Sequence, residues 1–179
     1  NAEIRRFHHQ VGRVIGARAF NLAVEFVHCR TEEERQWFRA LFTAEQLTRP
    51  LEAGEKRQLL ERLTEVDGLE RFLGRAFVGY KRFSLEGGES VIPLLDAVLD
   101  SAAVVGLDEV CIGMPHRGRL NVLANIAGKS YAQIFREFEG NYGMDSVQGS
   151  GDVKYHLGTS GEYTAPDGTT TKVYLAANP

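Results

Sequence analysis

The chain has 179 residues, 43% of them hydrophobic and 25% charged, with a formal net charge of -3, the size and balance of one ordinary globular domain. That charge speaks against a nucleic-acid partner, which calls for an excess of Lys and Arg, and Cys29 and Cys111 have neither CxxC nor disulfide-framework spacing. Without an apolar run of about 18 residues or a charged-then-apolar leader, the expectation is a soluble cytoplasmic or organelle-matrix protein. The start at Asn1 and the stop at "YLAANP" read as the two ends of a fragment.

Ile4, Phe7, Val11, Val14 and Ile15 recur at helical spacing over residues 2–20, with Gly12 and Gly16 loosening the later turns. Thr31 and Glu34 stand at capping-box spacing before a second helix, and Thr43 with Gln46 repeats the device until Pro50 ends it. "GEKRQLLERL" predicts a further helix, and Asp67 with Glu70 offers an N-cap and its partner for another whose face holds Leu69, Phe72 and Leu73. Trp37 and the aromatics around it read as core.

After Phe77 the pattern changes. Ser90 is placed to cap a helix with Pro93 in its first turn, lined by Ile92, Leu95, Leu99 and Ala102 and stopped at Gly106. Val110 to Met114 is a short apolar run, as in a parallel strand covered on both faces. Leu120 to Ile126 predicts a helix apolar nearly all round. "SYAQIFREFEG" predicts a capped one with Tyr131, Ile134, Phe135 and Phe138 on one stripe. Residues 140–152 lack periodicity and read as a surface loop. Pro166, Asp167 and Gly168 mark a turn before a second apolar strand, Val173 to Ala177. Strand, helices, strand is the order of a crossover unit with parallel strands.

In open α/β sheets, ligands bind beyond the carboxyl ends of the strands, and His116 and Arg117 hold that position. A helix start there supplies open N–H groups, Arg117 or Arg119 can grip carboxylate or phosphate oxygens through two parallel bonds, and His116 handles protons near neutral pH. Against this stands the commoner fate of such residues: a histidine after a strand is usually a bonded turn residue, and an arginine on a first helical turn is usually solvated. His156, after the long loop, is the other candidate, whereas Lys154 and Asp152 read as an exposed pair. Other signals fail. "AGKS" has Leu123 where a phosphate loop needs glycine, "GSGDVK" lacks the third glycine of the dinucleotide fingerprint, and the adjacent His8 and His9 point apart on a helix.

"KRFSLEGGESVIPLLD", "GMPHRGRLNVLANIAGK", "REFEGN" and "GSGDVKYHLG" occur in the order in which they occur in the thiamine-diphosphate-dependent first component of the 2-oxoglutarate dehydrogenase complex, and the chain resembles that family from about Leu59 to Pro179. "AVEFVHCRTEEERQWF" is similar to the helical segment before it. The resemblance implies an α/β fold: residues 85–179 as the start of a transketolase-like thiamine-diphosphate-binding domain, and residues 1–84 as a mainly helical region before it. By motif, His116 and His156 match the histidines facing the oxoacid and the thiamine ring, as catalytic and substrate-binding residues, and Arg117 matches an arginine reaching cofactor and substrate anions.

The activity implied is oxidative decarboxylation of 2-oxoglutarate in the tricarboxylic acid cycle, with succinyl transfer to a lipoyl group of the partner acyltransferase. A homodimer in a bacterial cytoplasm or a mitochondrial matrix goes with it. The GDG motif and its distant Asn, which hold Mg and diphosphate in the family, are missing here, so no metal ligand is assigned and the chain is expected to be inactive alone. A 2-oxoadipate homologue and a non-catalytic interaction domain are the competing readings.

Overall fold

In the computed structural model, the residues described are 26–43, 50–139, 156 and 158–178. The helix expected over 2–20, the Thr43–Gln46 cap, the loop over 140–152, and His8, His9, Asp152 and Lys154 lie outside them. The chain divides into two compact units, Asn1–Ala53 and Gly54–Pro179.

In the first unit, α1 (Glu32–Thr43) begins with the expected reciprocal cap: the Glu34 N–H donates to Thr31 Oγ1 at 3.1 Å and the Thr31 N–H to Glu34 Oε2 at 3.0 Å. Arg35 and Arg39 both reach back to Glu32, at 2.9 and 2.6 Å. Phe26 stacks on Phe38, and Trp37 meets Phe38 edge-on with centroids 4.9 Å apart. Trp37 is nevertheless 59% exposed, so it is not the core residue its surroundings in sequence suggest.

The second unit opens with α2 (Ala53–Ala76), a single helix of 24 residues where two were expected. Asp67 does not cap a new helix but accepts from Arg71 Nε one turn on, at 2.6 Å. The spacing that makes a cap also occurs inside helices, and here the buried stripe of Val66, Leu69 and Leu73 runs through it. Phe72 falls beside that stripe, half exposed, with its ring 4.8 Å from Phe135. Next come α3 (Val91–Val104) and β1 (Glu109–Ile112). Pro93 sits in the first turn of α3, yet Ser90 has helical backbone angles and its hydroxyl makes no cap bond. At the other end, the Leu107 N–H returns to the Ala102 carbonyl around Gly106.

Two short helices follow, α4 (Arg119–Asn125) and α5 (Tyr131–Phe138), the latter held by a full capping box between Ser130 and Gln133. Lys129, of the failed "AGKS" motif, closes an ion pair with Glu137 at 2.5 Å. The chain ends its described course in a hairpin, β2 (Thr159–Thr164) and β3 (Thr170–Leu175). Sheet order is β1-β3-β2. β1 and β3 are parallel, with Val110 opposite Val173 and Ile112 opposite Leu175, as a crossover unit requires, and β2 is an antiparallel edge that sequence reading missed.

The core gathers Val66, Leu69 and Leu73 of α2, Ile92 and Leu99 of α3, Leu120, Val122 and Leu123 of α4, Ile134 and Phe138 of α5, and Val173 and Leu175 of β3. Each fully buried side chain of this kind contributes about 1.5–3 kcal/mol. Among the described residues one sheet face is covered: Val173 and Leu175 are buried, whereas Cys111 and Tyr174 are exposed. β1 is therefore not enclosed on both faces as its apolar run suggested. Gly161 lets β2 pass close to the segment after α4, since a Cβ there would lie 2.1 Å from the Ala127 carbonyl oxygen. Among the described residues no helix is long and apolar enough to cross a membrane.

Candidate functional site

Parallel pairing brings the carboxyl ends of β1 and β3 to the same edge of the sheet, where the Ala176 N–H still donates to the Ile112 carbonyl at 2.9 Å. The chain leaving β1 carries His116 and Arg117, and the chain leaving β3 carries Asn178. His156 is bound to that second segment, its carbonyl accepting from the Asn178 N–H at 2.8 Å. The two imidazoles, 40 positions apart in the chain, thereby lie with centroids 5.9 Å apart and planes within 17°. Both are partly buried.

His116 also stacks against Phe83, with centroids 3.9 Å apart. Phe83 has a φ of +42°, a left-handed backbone rare outside glycine. Its carbonyl accepts from the Gly118 N–H at 3.0 Å. Gly118 itself has a φ of +76°, and a Cβ there would meet Leu85 Cδ1 at 2.5 Å, so only glycine fits the turn that swings His116 onto Phe83. Strained positions of this kind persist where the surroundings over-determine them.

Arg119 is the tie between these segments. Its guanidinium, fully buried, donates to the Met114 carbonyl after β1 at 3.0 Å, to the Ala176 carbonyl after β3 at 2.5 Å, and to the His156 carbonyl at 3.5 Å. Burial pulls its pKa down from the usual arginine range. Burial also lowers the pKa of His156, and the nearby charges of Arg119 and His116 lower it further. Both effects favour the neutral imidazole of His156, which accepts at one nitrogen and donates at the other.

The sequence offers Arg117 or Arg119 as the anion grip, with a solvated first turn as the commoner alternative, and the structure separates the two. Arg117 is exposed and donates to the Ser84 carbonyl at 2.8 Å, while Arg119 is interior. The N–H groups expected to be open for an anion are in part taken, because the amides of Gly118 and Arg119 donate to the carbonyls of Phe83 and His116. Phe83 and Asn178 were missed as site residues. The one available signal was that Asn178 follows directly on the apolar β3 run, at the strand end where ligands bind. Among the described residues no group of three or more His, Cys, Asp or Glu side chains could hold a metal ion.

A second polar cluster lies at the far end of α4. Arg62 grips Asp96 with two bonds, Nε to Oδ2 at 2.7 Å and Nη2 to Oδ1 at 2.9 Å, and also donates to the Asn125 carbonyl. Asn125 donates to Asn121 at 2.6 Å, and Asn121 to the buried Glu70 at 2.7 Å.

The site defines the chain as an α/β protein with two imidazoles and a buried guanidinium gathered where two parallel strands end. No family model matches the chain. A multifunctional 2-oxoglutarate metabolism enzyme of Mycolicibacterium vanbaalenii is 50% identical over 160 residues, 89% of this chain and 13% of that protein. A 2-oxoglutarate dehydrogenase E1/E2 component of Corynebacterium glutamicum is 46% identical over 170 residues, 94% of this chain and 14% of that one. A multifunctional 2-oxoglutarate metabolism enzyme of a Mycobacterium species is 49% identical over 89% of the chain and 12% of its own length. Over most of its length, this chain is homologous to members of the 2-oxoglutarate dehydrogenase E1/E2 family. It spans about an eighth of the length of these relatives, 12 to 14%.

Proposed function

We propose that the chain supplies the oxoacid-facing wall of a thiamine-diphosphate-dependent 2-oxoglutarate dehydrogenase. In this reading residues 85–179 begin a transketolase-like domain and residues 1–84 form the helical region leading into it. The observation that carries the reading is the His116–His156 pair at the strand ends, in a chain homologous to proteins whose names specify 2-oxoglutarate. Those names favour 2-oxoglutarate over 2-oxoadipate. For the full-length protein the reading assigns oxidative decarboxylation in the tricarboxylic acid cycle, succinyl transfer to a lipoyl-bearing acyltransferase component, a homodimer, and a bacterial cytoplasm or mitochondrial matrix.

The donor set fits one end of the cofactor. Two imidazoles, one of them favoured in its neutral form, beside a buried cation suit an anionic keto acid and the ring that meets it. Ligands for Mg and the diphosphate are assigned to other parts of the full-length protein. When bound, thiamine diphosphate supplies an electron sink for decarboxylation. His116 and His156 hold the oxoacid and donate hydrogen bonds to oxygens that gain negative charge, which favours the transition state over the ground state. Arg117, at the exposed rim, reaches the cofactor and substrate anions.

In the full-length enzyme His116→Ala or His156→Ala is expected to lower kcat for 2-oxoglutarate by roughly 10²-fold or more, the scale for losing a general acid or oxyanion donor. Near-normal turnover in folded variants overturns these roles. The 179-residue chain alone, given thiamine diphosphate and Mg, is expected to show no decarboxylation.

A further inference from the structure

We propose that Asn178 is a positioning residue for His156: its main chain grips the histidine's carbonyl, and its side-chain amide fixes which ring nitrogen carries the proton. The inference rests on the functional reading above and adds to it the protonation pattern of one of its two imidazoles.

Two contacts from one residue converge on His156. The Asn178 N–H donates to the His156 carbonyl at 2.8 Å, and Asn178 Nδ2 lies 3.4 Å from His156 Nε2. The first fixes where the histidine backbone sits relative to the end of β3, and the second fixes the ring. An amide nitrogen only donates, so it satisfies Nε2 only when that atom offers its lone pair. The proton of the neutral imidazole then resides on Nδ1.

Among the described residues, the charged groups that act on the ring work in the same direction. Arg119, from α4, donates to the His156 carbonyl and opposes a second positive charge, and His116, from the segment after β1, lies parallel at 5.9 Å. Arg117 is directed to the Ser84 carbonyl. A carboxylate in place of the Asn178 amide would reverse the preference at once, since it accepts from Nε2–H and stabilises the imidazolium. The amide supplies a donor without charge, which leaves His156 neutral and its Nδ1–H a fixed donor. Asn178 acts only through His156.

The tautomer can be read without turnover. In the full-length protein labelled with ¹⁵N-histidine, with His156 assigned by its loss in His156→Gln, the wild-type ring is expected to show a protonated Nδ1 and an unprotonated Nε2 at neutral pH. The opposite pattern overturns the proposal whatever the enzyme's activity. Asn178→Asp is expected to raise the His156 titration by about 1 unit or more, as an adjacent opposite charge does, and to move the acidic limb of the kcat/KM profile upward with it. Asn178→Ser keeps the main-chain grip and loses the amide; mixed tautomers are expected, with kcat falling more than KM changes. A titration unmoved in Asn178→Asp, or a single unchanged tautomer in Asn178→Ser, removes the role. A wild-type enzyme that shows the expected tautomer but does not decarboxylate 2-oxoglutarate overturns the functional reading instead.

Discussion

Two arginines mark the two ends of α4, and their surroundings differ in kind. At the C-terminal end Arg62 bonds the Asn125 carbonyl and is closed by the paired oxygens of Asp96. Desolvation works against its charge, but the bonds to Asp96 and Glu65 outweigh that and raise its pKa. At the N-terminal end Arg119 is more deeply buried, donates to main-chain carbonyls, and has its pKa lowered by desolvation. A cation also suits a helix C-terminus better than an N-terminus. At one end of the helix the cation is forked by a carboxylate, while at the other the cation bonds main-chain carbonyls and its field falls on His156. The first arrangement fits stability, and the second belongs to the region proposed above to face the oxoacid.

The largest effect that could break this contrast is at Asp96. Asp96→Ala leaves Arg62 partly buried without its fork partner and is expected to cost about 3 kcal/mol, the low end for a broken buried pair because both side chains keep about a fifth of their exposure. Urea unfolding measures it, and a loss under about 1 kcal/mol would show the pair to be a surface one. Arg119→Lys comes next. A single ammonium cannot span carbonyls on three segments, and losing one of these charged bonds is expected to cost about 2 kcal/mol while weakening 2-oxoglutarate turnover in the full-length enzyme. Equal damage to turnover from the Asp96 variant at matched stability would erase the distinction between the two ends. Tyr163→Phe tests the Arg62 end more gently. Its hydroxyl donates to Asp100 at 2.9 Å, and burial together with that bond raises the phenol pKa. Losing it is expected to cost about 1 kcal/mol with no change in kcat.

How much of this was legible depended on how local the signal was. The caps at Thr31 and Ser130 and the helix stop at Gly106 are written within a few residues and formed as expected. Asp67 shows the limit, since the same spacing occurs inside a longer helix when the apolar stripe continues past it. α4 was expected as an apolar helix, and its polar residues were overlooked. Asn121 and Asn125, one turn apart, join each other and Glu70 in the interior, and that i,i+4 pair was the available clue. β2 is a polar alternating strand whose large side chain, Tyr163, reaches α3, so its existence depends on pairing with β3 more than on its own composition. His116 was placed at a strand mouth from local pattern, but its approach to His156 depends on the register of β1 and β3, which no local pattern states.

The smallest effect is a pH dependence confined to the strand-end region. Burial, then Arg119, then His116 lower the pKa of His156 from its ordinary value of 6.5. Well above pH 6.5 the ring is neutral in both folded and unfolded chains and contributes no difference. As pH falls below that value the unfolded chain takes up the proton first, so stability declines until the folded ring is also protonated, and then declines no further on this account. The urea midpoint is therefore expected to drop as pH falls from about 6.5, and His156→Gln is expected to remove that part of the slope. Glu32, Glu34 and Asp167 have carboxyl pKa values below the ordinary range, so the stability they contribute is lost at lower pH. Arg62 stays charged throughout and so adds no slope of its own. If the slope survives His156→Gln, the field of Arg119 is not acting on that ring, and the two ends of α4 lose their electrostatic distinction.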